Sequence, residues 1–109
     1  MIKISFLYDE NEILDGFDFK GHAGYASAGN DIICAAVSAL VFTTVNSVEE
    51  LTDCAFEIEE DEKKGHIYFR LKDESKDDAL LLLKSLKLGI EQIQKTYGKK
   101  YIRIENLEV

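Results

Sequence analysis

The sequence predicts an α+β fold, a two-layer sandwich in which two helices cover a mainly antiparallel sheet, in the order β-β-α-β-β-α-β. Short stretches alternate apolar and polar residues with period two, as half-buried strands do; Ile2-Lys3-Ile4-Ser5-Phe6 and Ile102-Arg103-Ile104-Glu105 are examples. Two other stretches, from Asp31 and from Asp77, are too long for strands. The 109 residues suit a single domain, 1–109, with one modest core.

The first strand is expected over Ile2–Tyr8, followed by a polar turn from Asp9 to Glu12. Ile13 to Lys20 reads as a second strand ending at Gly21. In it Phe17 and Phe19 share one face, and Asp18, Lys20 and His22 the other. From Asp31 to about Leu51 runs a helix that is apolar on nearly every side: Ile32, Ile33, Val37, Leu40, Val41, Phe42, Val45 and Val48 all contribute. One sheet cannot cover all of it, which predicts a subunit interface and a homodimer. Cys54–Glu60 and His66–Lys72 read as two strands around the turn Glu60 to Gly65. A second helix is expected from about Asp77 to Tyr97, with Ala79, Leu82, Leu83, Leu86, Ile90, Ile93 and Tyr97 on its core stripe and Gly98 as its stop. Leu80, Leu81 and Leu88 lie off that stripe and would be exposed on a monomer. Tyr101 to Leu107 reads as the last strand.

No apolar run reaches the roughly 18 uncharged residues of a membrane span. The alternating start also lacks the apolar block of a signal peptide, so the expected compartment is the cytoplasm, with no membrane partner. Two cysteines without an export signal are expected as free thiols, and two scattered histidines give a zinc site little support. A net charge of −8 disfavours direct nucleic-acid binding and suits a basic protein or peptide partner.

The chemistry-bearing stretch is Gly21-His22-Ala23-Gly24-Tyr25-Ala26-Ser27-Ala28-Gly29-Asn30-Asp31-Ile32-Ile33-Cys34-Ala35-Ala36-Val37-Ser38. A histidine base and a cysteine thiol are the minimum parts of a nucleophilic site. Imidazole titrates near neutral pH and can take the thiol proton. With Asp31 as helix N-cap, Cys34 falls at the third helical position, where the positive end of the helix dipole stabilises a thiolate. The amides there, that of Cys34 included, are candidate oxyanion-hole donors. Asp31 has a second reading, as the carboxylate that orients His22. Ser38 lies one turn after Cys34 and could bond near the thiol or back to the Cys34 carbonyl. In the loop, Gly21, Gly24 and Gly29 are candidate hinges of a lid, and Tyr25 a candidate substrate contact. Cys54 should pack in the core, and His66 should be solvated on the opposite face from Ile67 and Phe69.

The blocks Gly21-His22-Ala23-Gly24 and Gly29-Asn30-Asp31-Ile32-Ile33-Cys34-Ala35-Ala36-Val37-Ser38, at this separation, resemble the signature of the ribosomal-processing cysteine proteases, the Prp family. The resemblance extends over essentially the whole chain. It implies a cysteine endopeptidase with Cys34 as nucleophile and His22 as base. The implied substrate is a large-subunit ribosomal protein, the twenty-seventh of the L series, whose short N-terminal extension is removed; no metal or organic cofactor is implied. The residues leave a rival open, a non-catalytic acidic module that binds a basic ribosomal protein. A thiol redox role has less support, because no C-x-x-C is present.

Overall fold

In the computed structural model of the chain, residues 1–21, 28–72 and 77–109 are described, those at 28–31 by backbone alone. The alternating stretches form β1 (Ile2–Tyr8), β2 (Leu14–Lys20), β3 (Phe56–Asp61), β4 (His66–Leu71) and β5 (Ile102–Glu108). The two long stretches form α1 (Ala28–Leu51) and α2 (Asp77–Tyr97). The strands make one sheet in the order β3-β4-β2-β1-β5, antiparallel throughout except for the parallel β1–β5 pair. Element order and sheet type are those the alternation predicts.

Register decides which side chains share a face. Ile4 pairs with Phe19 and Phe6 with Phe17 across β1–β2, while Phe17 meets Phe69 and Phe19 meets Ile67 across β2–β4. Ile2 pairs with Ile102 on the other side of β1. These residues are buried and form the face under the helices. The Phe17 and Phe69 rings stack at 5.2 Å, which adds about 0.5–1.5 kcal/mol beyond the area they bury.

Helix α1 buries Ile33, Val37, Val41, Val45 and Val48, a single stripe at near-helical spacing. It leaves Ile32, Phe42 and the terminal Leu51 exposed. The segment Ile32–Leu51 is long and apolar enough to cross a membrane by length and composition, but here one stripe of it packs on the sheet. Helix α2 buries Ala79, Leu83, Leu86 and Ile90, and leaves Leu81 and Leu88 exposed as expected. Leu80 differs. It is partly buried against the core, beside a hollow of about 330 Å3 that it shares with Tyr8, Ile13 and Leu14. Tyr97, expected in the core stripe, is 49% exposed because it is the last helical residue, at the helix stop before Gly98.

Two boundaries also differ from expectation. Strand β3 starts at Phe56, not Cys54. Thr52 explains this: its hydroxyl donates to the Val48 carbonyl at 2.7 Å and accepts the Cys54 amide at 3.1 Å, so that amide is bonded within the α1–β3 connection. Helix α1 starts at Ala28, three residues before Asp31. Alanine is the strongest helix former, and the first helical amides need no intrahelical acceptor, so Ala28-Gly29-Asn30 joins the helix without an Asp31 cap.

Candidate active site

The earlier helix start alters the surroundings expected for Cys34. Asp31 lies inside the helical backbone, so it is not the N-cap, and Gly29 belongs to the first turn, not to the loop. Cys34 sits in the second turn. The helix dipole acts over the first turn, and the amide of Cys34 is directed to the carbonyl of residue 30 inside the helix. The expected oxyanion donor at Cys34 is therefore withdrawn by the helix itself.

What the helix does supply is a stripe. Cys34, Ser38 and Phe42 follow one another at intervals of four, at the margin of the buried Ile33–Val37–Val41 row. Cys34 is half-buried and its thiol is free, with Sγ 4.0 Å from the Ser38 hydroxyl. All three residues line a cleft of about 210 Å3. Phe19 and Gly21 at the end of β2 line it too, as do Glu60, Asp61, Glu62, Gly65, His66 and Ile67 of the β3–β4 hairpin. Apolar and acidic residues thus share the lining of one cleft.

Two glycines fit the hairpin to the strand end. The Gly21 amide donates to the Gly65 carbonyl at 2.9 Å. A side chain on Gly21 would meet the tip of the Phe19 ring at 2.7 Å, so the ring would have to shift to admit one. Gly21 is the residue before His22, so the strand that leads to His22 ends in the cleft that holds Cys34. His22, Gly24 and Tyr25 themselves lie outside the described residues, as do the side chains of Gly29's helical neighbour Asn30 and of Asp31.

The two comparison residues separate clearly. Cys54 is 5% exposed within the core, as expected, and its thiol donates to the Ala55 carbonyl at 3.7 Å. His66 is not simply solvated: its Nε2 lies 2.5 Å from Asp18 Oδ1. Both residues point to the sheet face away from the helices. Lys20 pairs with His66 and Asp18 with Tyr68, so the contact is a diagonal one between β2 and β4. Only the strand pairing reveals it; the sequence signal was the polar alternation on both strands. Among the described residues no group of three or more His, Cys, Asp or Glu side chains is placed to hold a metal ion.

A half-buried thiol on a helix, in a cleft lined by the residue that precedes a histidine, has the makings of a thiol hydrolase site. Residues 1–103 match the family described as Cysteine protease Prp, and the chain belongs to that family. The Ribosomal processing cysteine protease Prp of Staphylococcus aureus (strain Mu50 / ATCC 700699) is 33% identical over 91 residues, 84% of this chain and 85% of that one. The protein of the same name from Bacillus subtilis (strain 168) is 31% identical over 101 residues, 89% of this chain and 90% of the other. A crystal structure of the S. aureus protease in complex with a substrate peptide superimposes with a TM-score of 0.90 at 28% identity, covering 98% of this chain and 100% of that chain. The family is one of cysteine proteases, so the thiol reading stands over the non-catalytic module.

Proposed function

We propose that this chain is an endopeptidase that removes a short N-terminal extension from a large-subunit ribosomal protein, the twenty-seventh of the L series, and so supports ribosome assembly. The observation that carries this is the shared cleft: Cys34, Gly21 (the residue before His22) and the acidic residues Glu60, Asp61 and Glu62 all line it. Ribosomal processing is the activity named for its relatives, and acidic residues at the cleft of a chain of charge −8 complement a basic protein.

In this reading His22 takes the Cys34 proton and the thiolate sulfur attacks the scissile carbonyl carbon. The tetrahedral adduct collapses as the C–N bond breaks, and the imidazolium gives its proton to the departing amine. The remaining thioester is then hydrolysed. Imidazole draws a proton from water, hydroxide adds to the acyl carbon, and the thiol is restored as the carboxylate product leaves. Asp31, one turn before Cys34 on the same helix, takes the orienting role toward His22 that its second reading gave it. The apolar lining of Phe19, Phe42 and Ile67 suits a bulky apolar side chain next to the scissile bond.

The protein acts in the cytoplasm as a homodimer, through exposed apolar side chains on both helices: Ile32 on α1, Leu81 and Leu88 on α2. Direct binding to nucleic acid is not part of this function, given the acidic charge. Incubating the protein with the extended ribosomal protein and weighing the products by mass spectrometry tests the activity. Loss of the extension supports it, and an intact substrate at stoichiometric enzyme refutes it. Sedimentation at micromolar protein tests the dimer, which a concentration-independent monomer mass would refute.

A further inference from the structure

We infer that Gly65, in the β3–β4 turn, is a positioning residue for the catalytic base, because its backbone clamps the peptide group that carries His22. The inference rests on the proposed role of His22 as base. Gly65 adopts φ +60°, a left-handed conformation, and its own amide donates to the Glu62 carbonyl at 3.2 Å. Its carbonyl accepts the Gly21 amide at 2.9 Å. A Cβ on Gly65 would lie 1.8 Å from the Gly21 carbonyl oxygen and 3.0 Å from its carbon. That oxygen belongs to the planar amide joining Gly21 to His22, so the contact falls on the group from which His22 departs.

Two consequences follow from this placement. The turn is itself held, since Asp61 Oδ1 accepts the Lys64 amide at 3.2 Å. The same hairpin brings Glu60 and Asp61 of β3 and Glu62 of the turn to the cleft lining, so one hairpin meets both the cleft and the strand end before the base. A side chain at 65 must push the Gly21–His22 peptide aside by about an ångström, and a displacement of that size near reacting groups lowers a rate by about 10²-fold.

Left-handed strain and crowding are separable by substitution. Asn tolerates positive φ but brings the same Cβ as Ala. Gly98 supplies the opposite control: φ is +107° there, but a Cβ would meet nothing within 4 Å. The experiment is steady-state cleavage of the extended ribosomal protein by Gly65→Ala, Gly65→Asn and Gly98→Ala, with kcat and KM measured across pH. Both Gly65 variants should lose about 10²-fold in kcat with KM within about twofold, and the acid limb of the kcat profile, set by the imidazole, should move. Gly98→Ala should cleave like the parent. Full activity in Gly65→Asn, or equal losses in Gly98→Ala and Gly65→Ala, would overturn the clamp. Should the Gly65 variants fail to fold, Asp61 decides. Asp61→Asn keeps an acceptor for the Lys64 amide and Asp61→Ala does not, so a kcat several-fold lower in the alanine variant supports the clamp and equal values overturn it. A parent protein that cleaves nothing refutes the protease reading and the inference with it. A parent that cleaves, with unimpaired Gly65 variants, refutes the clamp alone.

Discussion

Leu40 of α1 rests directly on Gly89 of α2, so closely that a Cβ on Gly89 would come 2.9 Å from Leu40 Cδ1. The crowded atom is the tip of a flexible side chain, which can turn away at low cost. Against that stands the helix propensity of alanine over glycine, about 1 kcal/mol in a helix interior. Gly89→Ala should therefore stabilise the protein by a few tenths to about 1 kcal/mol. Urea unfolding measures it, and a loss of stability would show that Leu40 has no other rotamer available.

The two thiols should respond differently to serine. Cys34→Ser should abolish cleavage and leave the melting temperature nearly unchanged, because the side chain is half-buried at a cleft margin. Cys54→Ser should keep turnover but cost about 1–3 kcal/mol of stability, since a hydroxyl replaces a buried thiol in the core. Equal losses of turnover in two well-folded variants would remove Cys34 from its role.

Asp15 gives the fold a pH dependence of known sign. The residue is 8% exposed, Oδ2 accepts from Arg70 Nε at 3.3 Å, and Oδ1 has no hydrogen-bond partner among the described residues. Burial pushes the carboxyl above its ordinary 3.8, and the Arg70 charge offsets this only in part. A carboxyl raised in the fold binds its proton more tightly there than in the unfolded chain. Its stabilising contribution is present below that ordinary value and is lost as pH rises through the folded one. Asn at this position does not titrate. The stability of Asp15→Asn relative to the parent should therefore improve between about pH 3 and about pH 7. Denaturant curves at the two pH values would show it, and a constant difference would count against a raised carboxyl.

Glu12 stores backbone strain. It has φ 62°, held there by Asp9, whose carboxylate accepts the Asn11 and Ile13 amides at 2.8 and 3.0 Å and whose carbonyl accepts the Glu12 amide at 2.9 Å. Asparagine enters this region more readily than glutamate. Glu12→Asn should raise stability by a few tenths to about 1 kcal/mol, readable as a shift in the urea midpoint without a change in slope.

The strands and helices were legible because their burial repeats locally. Phe17 and Phe19, or Ile102 and Ile104, announce a face within a few residues. Cys34 and Ser38 were legible as a stripe for the same reason, four positions apart on one helix. What local pattern does not carry is contact across the sheet. Gly65 and Gly21, or His66 and Asp18, meet only once β2 and β4 pair, and neither glycine differs in sequence from an ordinary loop glycine. The start of α1 was misread because Asp31 has the chemistry of a cap, while the small residues before it can be helical or not. Cys54 was placed correctly in the core but wrongly in a strand, since the Thr52 hydroxyl that holds its amide acts through side-chain chemistry that periodicity ignores.

The parallel pairing of β1 with β5 ties the order of synthesis to the completion of the sheet. Ile2 of β1 is made before its sheet partner Ile102, which is wholly buried and belongs to the last of the described strands. Until residues 102–108 leave the ribosome, β1 has a neighbour on one side only, and its other edge is open to strands of other nascent chains. An enzyme proposed to act on a ribosomal protein would thus emerge from the translation machinery with its sheet unfinished until β5 follows.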